Sequence, residues 1–291
     1  MKVGLSSGIS PLLFIAIRSL LASCILFFVA VIRKEPIGEA RKNWFLLIVL
    51  GLTAFFGYFG MVLGGVSVSP GFASVIGNSH PIIASVLAVI FLSESLRFGK
   101  IAGLTFGFLG VILSSVPSLL GQTSNSLSGI GLLLLSAIAT GTGNVFFKKI
   151  SNSNYPISAV AIQFTLSSLF LLVAGYLFER PFVINWNLGF VLSLLILSVG
   201  GTALADILWL DLLKRTSLTK LNVYIFLTPA FSLAMGILFF KEKLGVWEVF
   251  GIGSILIGIL MITKRNKDEI QNPKKRILMA LHSMASKFFP H

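Results

Sequence analysis

Nine stretches of this chain are apolar over about 20 residues, the length a helix needs to cross a bilayer. They are Pro11–Ile32, Trp44–Val66, Gly71–Leu92, Ile101–Ser118, Ser128–Phe147, Ile157–Phe178, Leu188–Leu212, Leu221–Phe240 and Val246–Thr263. An open sheet edge cannot be satisfied in lipid, so runs of this length predict helices. Polar residues gather in the short breaks between them. Residues 33–43 form a charged loop, and the uncharged Ser/Asn/Gly-rich stretch Gly121–Ser126 divides the chain near its middle. After Thr263 comes a basic tail, Lys264–His291. In it Ile277, Leu281, Met284 and Phe288 recur at helical spacing, which fits either an interfacial helix on an anionic leaflet or an unstructured tail. Gly60 with Gly64, and Gly99 with Gly103 and Gly107, fit close backbone approach between packed helices. Arg18 interrupts the first run and no small-residue cleavage site follows it, so that run reads as a span and not a cleaved signal.

The polar positions also repeat. With a shift of 148 residues Pro81 meets Pro229, Phe91 meets Phe239, Glu94 meets Glu242, Leu96 meets Leu244, Gly103 meets Gly251 and Gly110 meets Gly258. With a shift of 145, Pro11 meets Pro156, Ala16-Ile17 meets Ala161-Ile162, Leu21 meets Leu166 and Ser23 meets Ser168. The expected organisation is a first repeat over 1–120, a second over 127–263 and a basic cytoplasmic tail over 264–291. The second copy opens with Ser128–Phe147, but residues 1–10 align only with 146–155, the end of that helix and its turn. The first copy is therefore expected to lack most of its opening helix, through truncation, a misplaced start or a genuine nine-helix form. The span Gly71–Leu92 and its counterpart Leu221–Phe240 are five crossings apart and run in opposite senses. Inverted repeats are a hallmark of secondary transporters, with the substrate between repeats near the midplane.

Composition agrees with the pattern. The chain is 55% hydrophobic and only 11% charged, against about 25% in an ordinary soluble domain. These values exclude a soluble enzyme, a disordered chain and a disulfide scaffold. The single cysteine, Cys24, lies in an apolar run and supports no disulfide within the chain. A net charge of +13 raises the question of nucleic acid, which its placement answers. Alternating the spans puts 18 of the 23 Lys and Arg on one side: Arg33, Lys34, Arg41, Lys42, Arg97, Lys100, Lys148, Lys149, Lys214, Arg215, Lys220 and seven in the tail. The other side receives Lys2, Arg180, Lys241 and Lys243, and Arg18 lies within a span. By the positive-inside rule the rich side, with the C-terminus, is cytoplasmic.

Four motifs carry a family resemblance: Pro11-Leu-Leu-Phe-Ile-Ala-Ile-Arg-Ser-Leu-Leu-Ala22; His80-Pro81 with Phe-Leu-Ser-Glu94-Ser-Leu96; Gly201-Thr-Ala-Leu-Ala-Asp-Ile-Leu-Trp209; and Thr228-Pro229 with Phe-Phe-Lys-Glu242-Lys-Leu244. In order and doubling they resemble the drug/metabolite transporter superfamily, specifically its EamA type, over residues 1 to about 263. The resemblance implies an all-α polytopic membrane protein of two inverted five-helix repeats, ten helices in all. It also implies export or exchange of small metabolites through a central cavity. The nearly absent first helix departs from the pattern. So does Asp206, which stands where the family usually has an aromatic or apolar residue.

Ionisable groups within spans are costly and default to functional candidates. Arg18 can meet an anionic group of a substrate, snorkel, or pair with a helix C-terminus; Gln163 is its repeat partner. His80, before Pro81 in mid-span, can bind substrate, carry a proton near neutral pH or be hydrogen-bonded structurally. Pro81 and Pro229 free backbone carbonyls and are expected to shape gating, cavity-lining helices. Thr228 is the counterpart of His80, and Asn78 and Tyr224 can add polar contacts near the two prolines. Asp206 lies deep, without an evident partner, and suits proton coupling or a polar contact. Asp211 is expected to pair with Lys214 or Arg215 at helical spacing. Trp209 can wall the cavity or pack, and Asn144 offers a further polar contact. Glu94 and Glu242 read as structural anchors at membrane boundaries.

No catalytic constellation, P-loop or metal-ligand cluster is present in the sequence; His80, His282 and His291 are too dispersed for zinc. The expected function is secondary active transport of a small metabolite, such as an amino acid or related polar compound, across the cell membrane. The implied partners are that small molecule, the lipid bilayer and a coupling proton, with no nucleic acid, cofactor or metal. Two other readings stay open: a non-transporting subunit or inactive paralogue, and an intramembrane enzyme built on His80 and Asp206.

Overall fold

The structure is a computed structural model that describes residues 10–120, 126–179, 187–231 and 245–271. Among the described residues eight helices are long and apolar enough to span a membrane. The ninth expected span, Leu221–Phe240, lies partly outside them, as do Glu242, Arg180 and the amphipathic part of the tail.

The helices are α1 (Pro11–Ile32), α2 (Ile37–Lys42), α3 (Trp44–Val66), α4 (Pro70–Gly77), α5 (His80–Leu92) and α6 (Phe98–Leu119). They continue as α7 (Leu127–Ser151), α8 (Pro156–Phe178), α9 (Leu188–Ser198), α10 (Ala205–Arg215), α11 (Leu218–Ile225) and α12 (Val246–Gln271). Proline opens α1, α4 and α8, where its missing N–H is no loss. Expected boundaries shift most at α12, which runs on to Gln271, two turns past the apolar stretch.

Two of the expected spans that lie wholly among the described residues are not continuous α-helix. The stretch Gly71–Leu92 divides into α4 and α5 at Asn78 and Ser79, where Pro81 cannot supply a backbone donor. Side chains take up the carbonyls at the end of α4. Asn78 Nδ2 donates to the Ser74 carbonyl at 2.8 Å, Ser79 Oγ to Ile76 at 2.7 Å and His80 Nδ1 to Gly77 at 2.8 Å. The second interruption is a π-helical turn over Val199–Leu204, between α9 and α10. Thr202 Oγ1 there donates to the Leu197 carbonyl, five residues back, at 3.0 Å. Such bulges recur at functional sites.

Two compact units share the chain, one built from Met1–Ser95 and Ser115–Asn222, the other from Leu96–Ser114 and Val223–His291. Each draws on both halves of the sequence. In the first unit α1 packs on α8, its counterpart under the 145-residue shift, and α3 packs on α7 and α8. The α3–α7 contact runs through small residues. A Cβ on Gly64 would lie 2.8 Å from the Gly129 carbonyl oxygen, and Ser136 Oγ donates to the Gly57 carbonyl at 2.6 Å. In the second unit α6 meets α12 in the same way. A Cβ on Gly110 would lie 2.6 Å from the Gly251 carbonyl oxygen, and Ser254 Oγ donates to the Phe106 carbonyl at 2.7 Å. Lipid gives packed helices no hydrophobic drive, so close backbone contact supplies dispersion and weak hydrogen bonding instead.

Carboxylates from remote segments cap three helix N-termini in the first unit. Glu35 accepts from the backbone N–H of Ile157 (3.1 Å) and Ser158 (2.8 Å) and from Ser158 Oγ (2.7 Å), at the start of α8. Glu94 repeats the arrangement on α11, accepting from the N–H of Leu218 (2.6 Å) and Thr219 (3.1 Å) and from Thr219 Oγ1 (2.8 Å). Glu179, just past α8, accepts from the Leu12 N–H at the start of α1. Glu35 follows α1 and caps α8, while Glu179 follows α8 and caps α1. The two counterpart helices are thus antiparallel and joined at both ends.

The same backbone device aims Glu35 and Glu94. Lys34 (φ 54°) and Ser93 (φ 53°) adopt the left-handed conformation, and each directly precedes its glutamate. The glutamate N–H then bonds back to the helix it follows, Glu35 to Ala30 at 3.0 Å and Glu94 to Ala88 at 3.2 Å. At Glu35 this is the six-to-one closure of a Schellman-type helix end; at Glu94 the closure is one residue longer, and in both cases the chain turns sharply enough to present the carboxylate to another helix.

Candidate functional site

The first unit places three polar side chains of its spans in one neighbourhood. Arg18 projects from α1 toward Tyr58 on α3. Its Nη2 donates to the Tyr58 hydroxyl at 3.4 Å, and its guanidinium lies 5.6 Å from the ring centroid. The aromatic face and hydroxyl together hold the cation, as expected of cation–π geometry. The π turn packs against α1 and delivers Asp206 at the first turn of α10. There the Asp206 carboxylate interacts electrostatically with both Arg18 and Tyr58.

These groups are near one another without being mutually satisfied. Arg18 Nε is buried with no hydrogen-bond partner among the described residues. Among the described residues Asp206 forms no hydrogen bond and no ion pair within 4.0 Å. Ser19 Oγ and Gln163 Oε1, on the packed pair α1 and α8, are also buried and unpartnered. A buried polar group without a partner costs on the order of 1–3 kcal/mol, more if it is charged. Several on neighbouring elements call for an explanation beyond folding.

The other sequence candidates are placed differently. His80 and Asn78 give polar atoms to the end of α4, and His80 retains Nε2 beyond its bond to Gly77. Pro81 is buried in the first turn of α5, where the Gly77–Ser79 break satisfies its neighbours. Trp209 and Ile207 pack against the core cluster that Tyr58 also borders. Asn144 is half-buried on α7. In the second unit the Tyr224 hydroxyl lies 3.2 Å from Thr263 Oγ1, Thr228 is exposed and Pro229 half-buried. Asp211 pairs with Arg215, one turn on, at 3.2 Å.

Four functional or supporting residues escaped the sequence reading. Tyr58 is neutral, so a search for charges within spans passes over it. Asn222 is fully buried on α11 and donates to Ser85 Oγ at 3.0 Å, which in turn donates to the Pro81 carbonyl at 2.7 Å. Lys148 caps the end of α10, donating to the Leu213 carbonyl and, at 3.0 Å, to the Thr216 carbonyl. Glu94 holds the amides just beyond, so the α10–α11 corner is gripped by a cation on its carbonyls and an anion on its N–H groups. Glu35 completes the set; it stood in sequence only as part of a charged loop.

Similarity to known proteins agrees with this architecture. The sequence profile of the EamA-like transporter family matches twice, over residues 1–116 and 127–264. The chain belongs to this family. Its relatives include the uncharacterized transporter YvbV of Bacillus subtilis, 31% identical over 258 residues, covering 88% of this chain and 84% of the relative. A WAT1-related chloroplastic protein of Arabidopsis thaliana is 30% identical over 263 residues, covering 87% of this chain and 62% of that protein. A probable amino-acid metabolite efflux pump of Salmonella typhimurium is 29% identical over 271 residues, covering 89% and 87%. One crystal structure superimposes with a TM-score of 0.81 at 17% identity, covering 92% of both chains, and shows the shared fold alone. This EamA-family protein is accordingly a multi-pass membrane transporter in the drug/metabolite transporter superfamily, acting on a small-molecule substrate. Family and relatives point to transport and not to enzymatic catalysis.

Proposed function

We propose that this EamA-family protein is a secondary active transporter, an exporter or exchanger, of a small polar or amphipathic metabolite across the cell membrane. The observation that carries this reading is the cluster of Arg18, Tyr58 and Asp206 within membrane-spanning helices, with Asp206 following a π turn and the charges incompletely satisfied among the described residues. An intramembrane charge is expensive unless it serves a pathway or a ligand. The division of the stretch Gly71–Leu92 into α4 and α5 at Asn78 and the π turn before Asp206 supply irregular backbone where a cavity-lining segment is needed. The family's paired repeats support alternating access, with Pro81 and Pro229 shaping the moving helices. The Lys and Arg asymmetry supports a cytoplasmic C-terminus. Asp206 is the candidate for a coupling proton. The efflux role of the Salmonella relative supports a substrate in the amino-acid range.

The test is flux. Purified full-length protein in liposomes is given opposing gradients of compounds from an amino-acid panel, with and without a proton gradient. Exchange or efflux of at least one compound above protein-free liposomes supports the reading. A protein that moves none of them under any gradient overturns it. Collapse of the flux when the proton gradient is removed assigns the coupling ion; its persistence removes proton coupling and leaves the transport reading in place.

A further inference from the structure

Several charged groups at helix ends of the first unit find partners in the protein. Glu35, Glu94 and Glu179 each bind backbone N–H groups, and Lys148 binds two carbonyls. The fold is therefore well able to satisfy a charge. Arg18 and Asp206, within spans, are met less completely among the described residues. They carry opposite charges on elements in contact, α1 and the π turn that leads into α10, but stand too far apart for an ion pair. The guanidinium is fixed from one side by Tyr58, at 3.4 Å to its hydroxyl, and keeps a buried Nε free.

We propose that Arg18 and Asp206 form a dipolar clamp for a zwitterion of α-amino-acid type, with the substrate carboxylate on the guanidinium and the substrate ammonium on the carboxylate. The chemistry follows from the free groups. Arginine offers donors in a planar fork that matches a carboxylate, and Nε with Nη is one edge of that fork. Tyr58 takes one bond from Nη2, the nitrogen beside Nε on that edge, and meets the guanidinium with its π face; Nη2 carries two N–H groups, so a second one stays available with Nε. Asp206, accepting nothing from the described residues, has its lone pairs open to an ammonium donor. A zwitterion places the two complementary charges on one small molecule and neutralises both ends together. A singly charged compound would leave one of the two intramembrane charges without a partner, which costs more than losing a contact at a solvated surface. Discrimination by an unmatched buried polar group is much stronger than discrimination by a methylene. The side chain of the substrate is not fixed by the clamp.

This inference rests on the transporter reading, and its test separates the two. Liposomes containing the full-length protein are assayed for exchange with matched triplets: an amino acid, the amine lacking its carboxylate and the acid lacking its ammonium. The expected result is at least tenfold faster exchange of the amino acid than of either partner compound. Asp206→Asn is expected to abolish that preference and to favour the acid, and Arg18→Gln to favour the amine. Because a variant in a membrane span can fail to fold, the wild-type protein is also tested for ligand-induced thermal stabilisation by the same triplets. Stabilisation by the amino acid and not by the amine or acid supports the clamp. Equal exchange or equal stabilisation by singly charged compounds overturns the clamp and leaves transport standing. Absence of exchange for every compound overturns both.

Discussion

Glu35, Glu94 and Glu179 stand at the ends of helices, and Asp206 stands within a span. The chemical group is the same, but the surroundings are not. Each of the three glutamates meets backbone N–H groups that the start of a helix leaves without partners, and two of them also take a Ser or Thr hydroxyl. The partial positive charge of a helix N-terminus adds to those bonds. Asp206 also sits in a first helical turn, but that turn continues from the π turn before it. Its neighbouring N–H groups are largely committed to the preceding backbone, so no free helix start is offered to its carboxylate. A carboxylate that is used up holds the fold together. One that is left open, at a cost to stability, is available to something that comes and goes.

The sharpest break of this comparison is at Glu94. Glu94→Ala removes two amide bonds and a hydroxyl bond to a charged acceptor, and is expected to lower stability by about 2–3 kcal/mol, from hydrogen bonds to charge of about 1.5–3 kcal/mol that are partly replaced by water. Glu35→Ala is expected to match it, because the geometry is repeated. Unfolding in detergent or thermal unfolding in nanodiscs measures both, and Glu94→Gln, which can still accept one bond, should recover part of the loss. Unchanged stability in both alanine variants would break the assignment of these residues to structure. Next comes Asp206→Asn, expected to reduce flux about 10- to 100-fold, the equivalent of one lost charge-assisted hydrogen bond, with stability no lower than wild type because an open charge is removed. A large stability loss with normal flux would reverse the roles assigned to the two kinds of carboxylate.

Smaller effects refine the contrast. Glu179→Ala removes bonds to a single amide, that of Leu12, and should cost about 1 kcal/mol in the same unfolding assay. Ser93→Gly relieves the left-handed backbone before Glu94. It is expected to raise stability by about 0.5 kcal/mol, the remainder after glycine's greater freedom in the unfolded chain is set against the steric strain. At the bottom of the scale is Asp211→Asn. Its pair with Arg215 is one helical turn long and more than half exposed on both sides, so the loss should stay within about 0.5 kcal/mol.

Much of the fold was legible because it is local. The apolar runs from Pro11–Ile32 to Val246–Thr263 contain their own hydrogen bonds as helices, and the doubled Pro…Glu-x-Leu pattern shows the repeats without any contact being known. Asp211 and Arg215 are four residues apart, so their pairing follows from helical spacing alone. Arg18 and Asp206 were legible as candidates because a charge in a long apolar run is conspicuous. Tyr58 was not, since a neutral aromatic in such a run is ordinary until the guanidinium is seen over its ring. The roles of Glu35 and Lys148 were hidden for another reason: both lie in basic segments that charge asymmetry alone explains. Their partners lie 122 and 65 residues away. The π turn is likewise invisible to periodicity, which reads Leu188–Leu212 as one helix.

By itself the sequence determined that this is an all-helical membrane protein with two related halves, because length, apolarity and repetition are properties of the chain taken in order. It also nominated the charges that lipid would not tolerate idly. Tertiary structure decided which of those charges are satisfied. That depends on whether another helix presents a free N–H or carbonyl at the right place, and those partners come from segments remote in sequence. Glu35 and Glu94 found such partners at helix starts. Asp206, carried on a turn continuous with its preceding backbone, did not, and that difference separates a structural carboxylate from the candidate site.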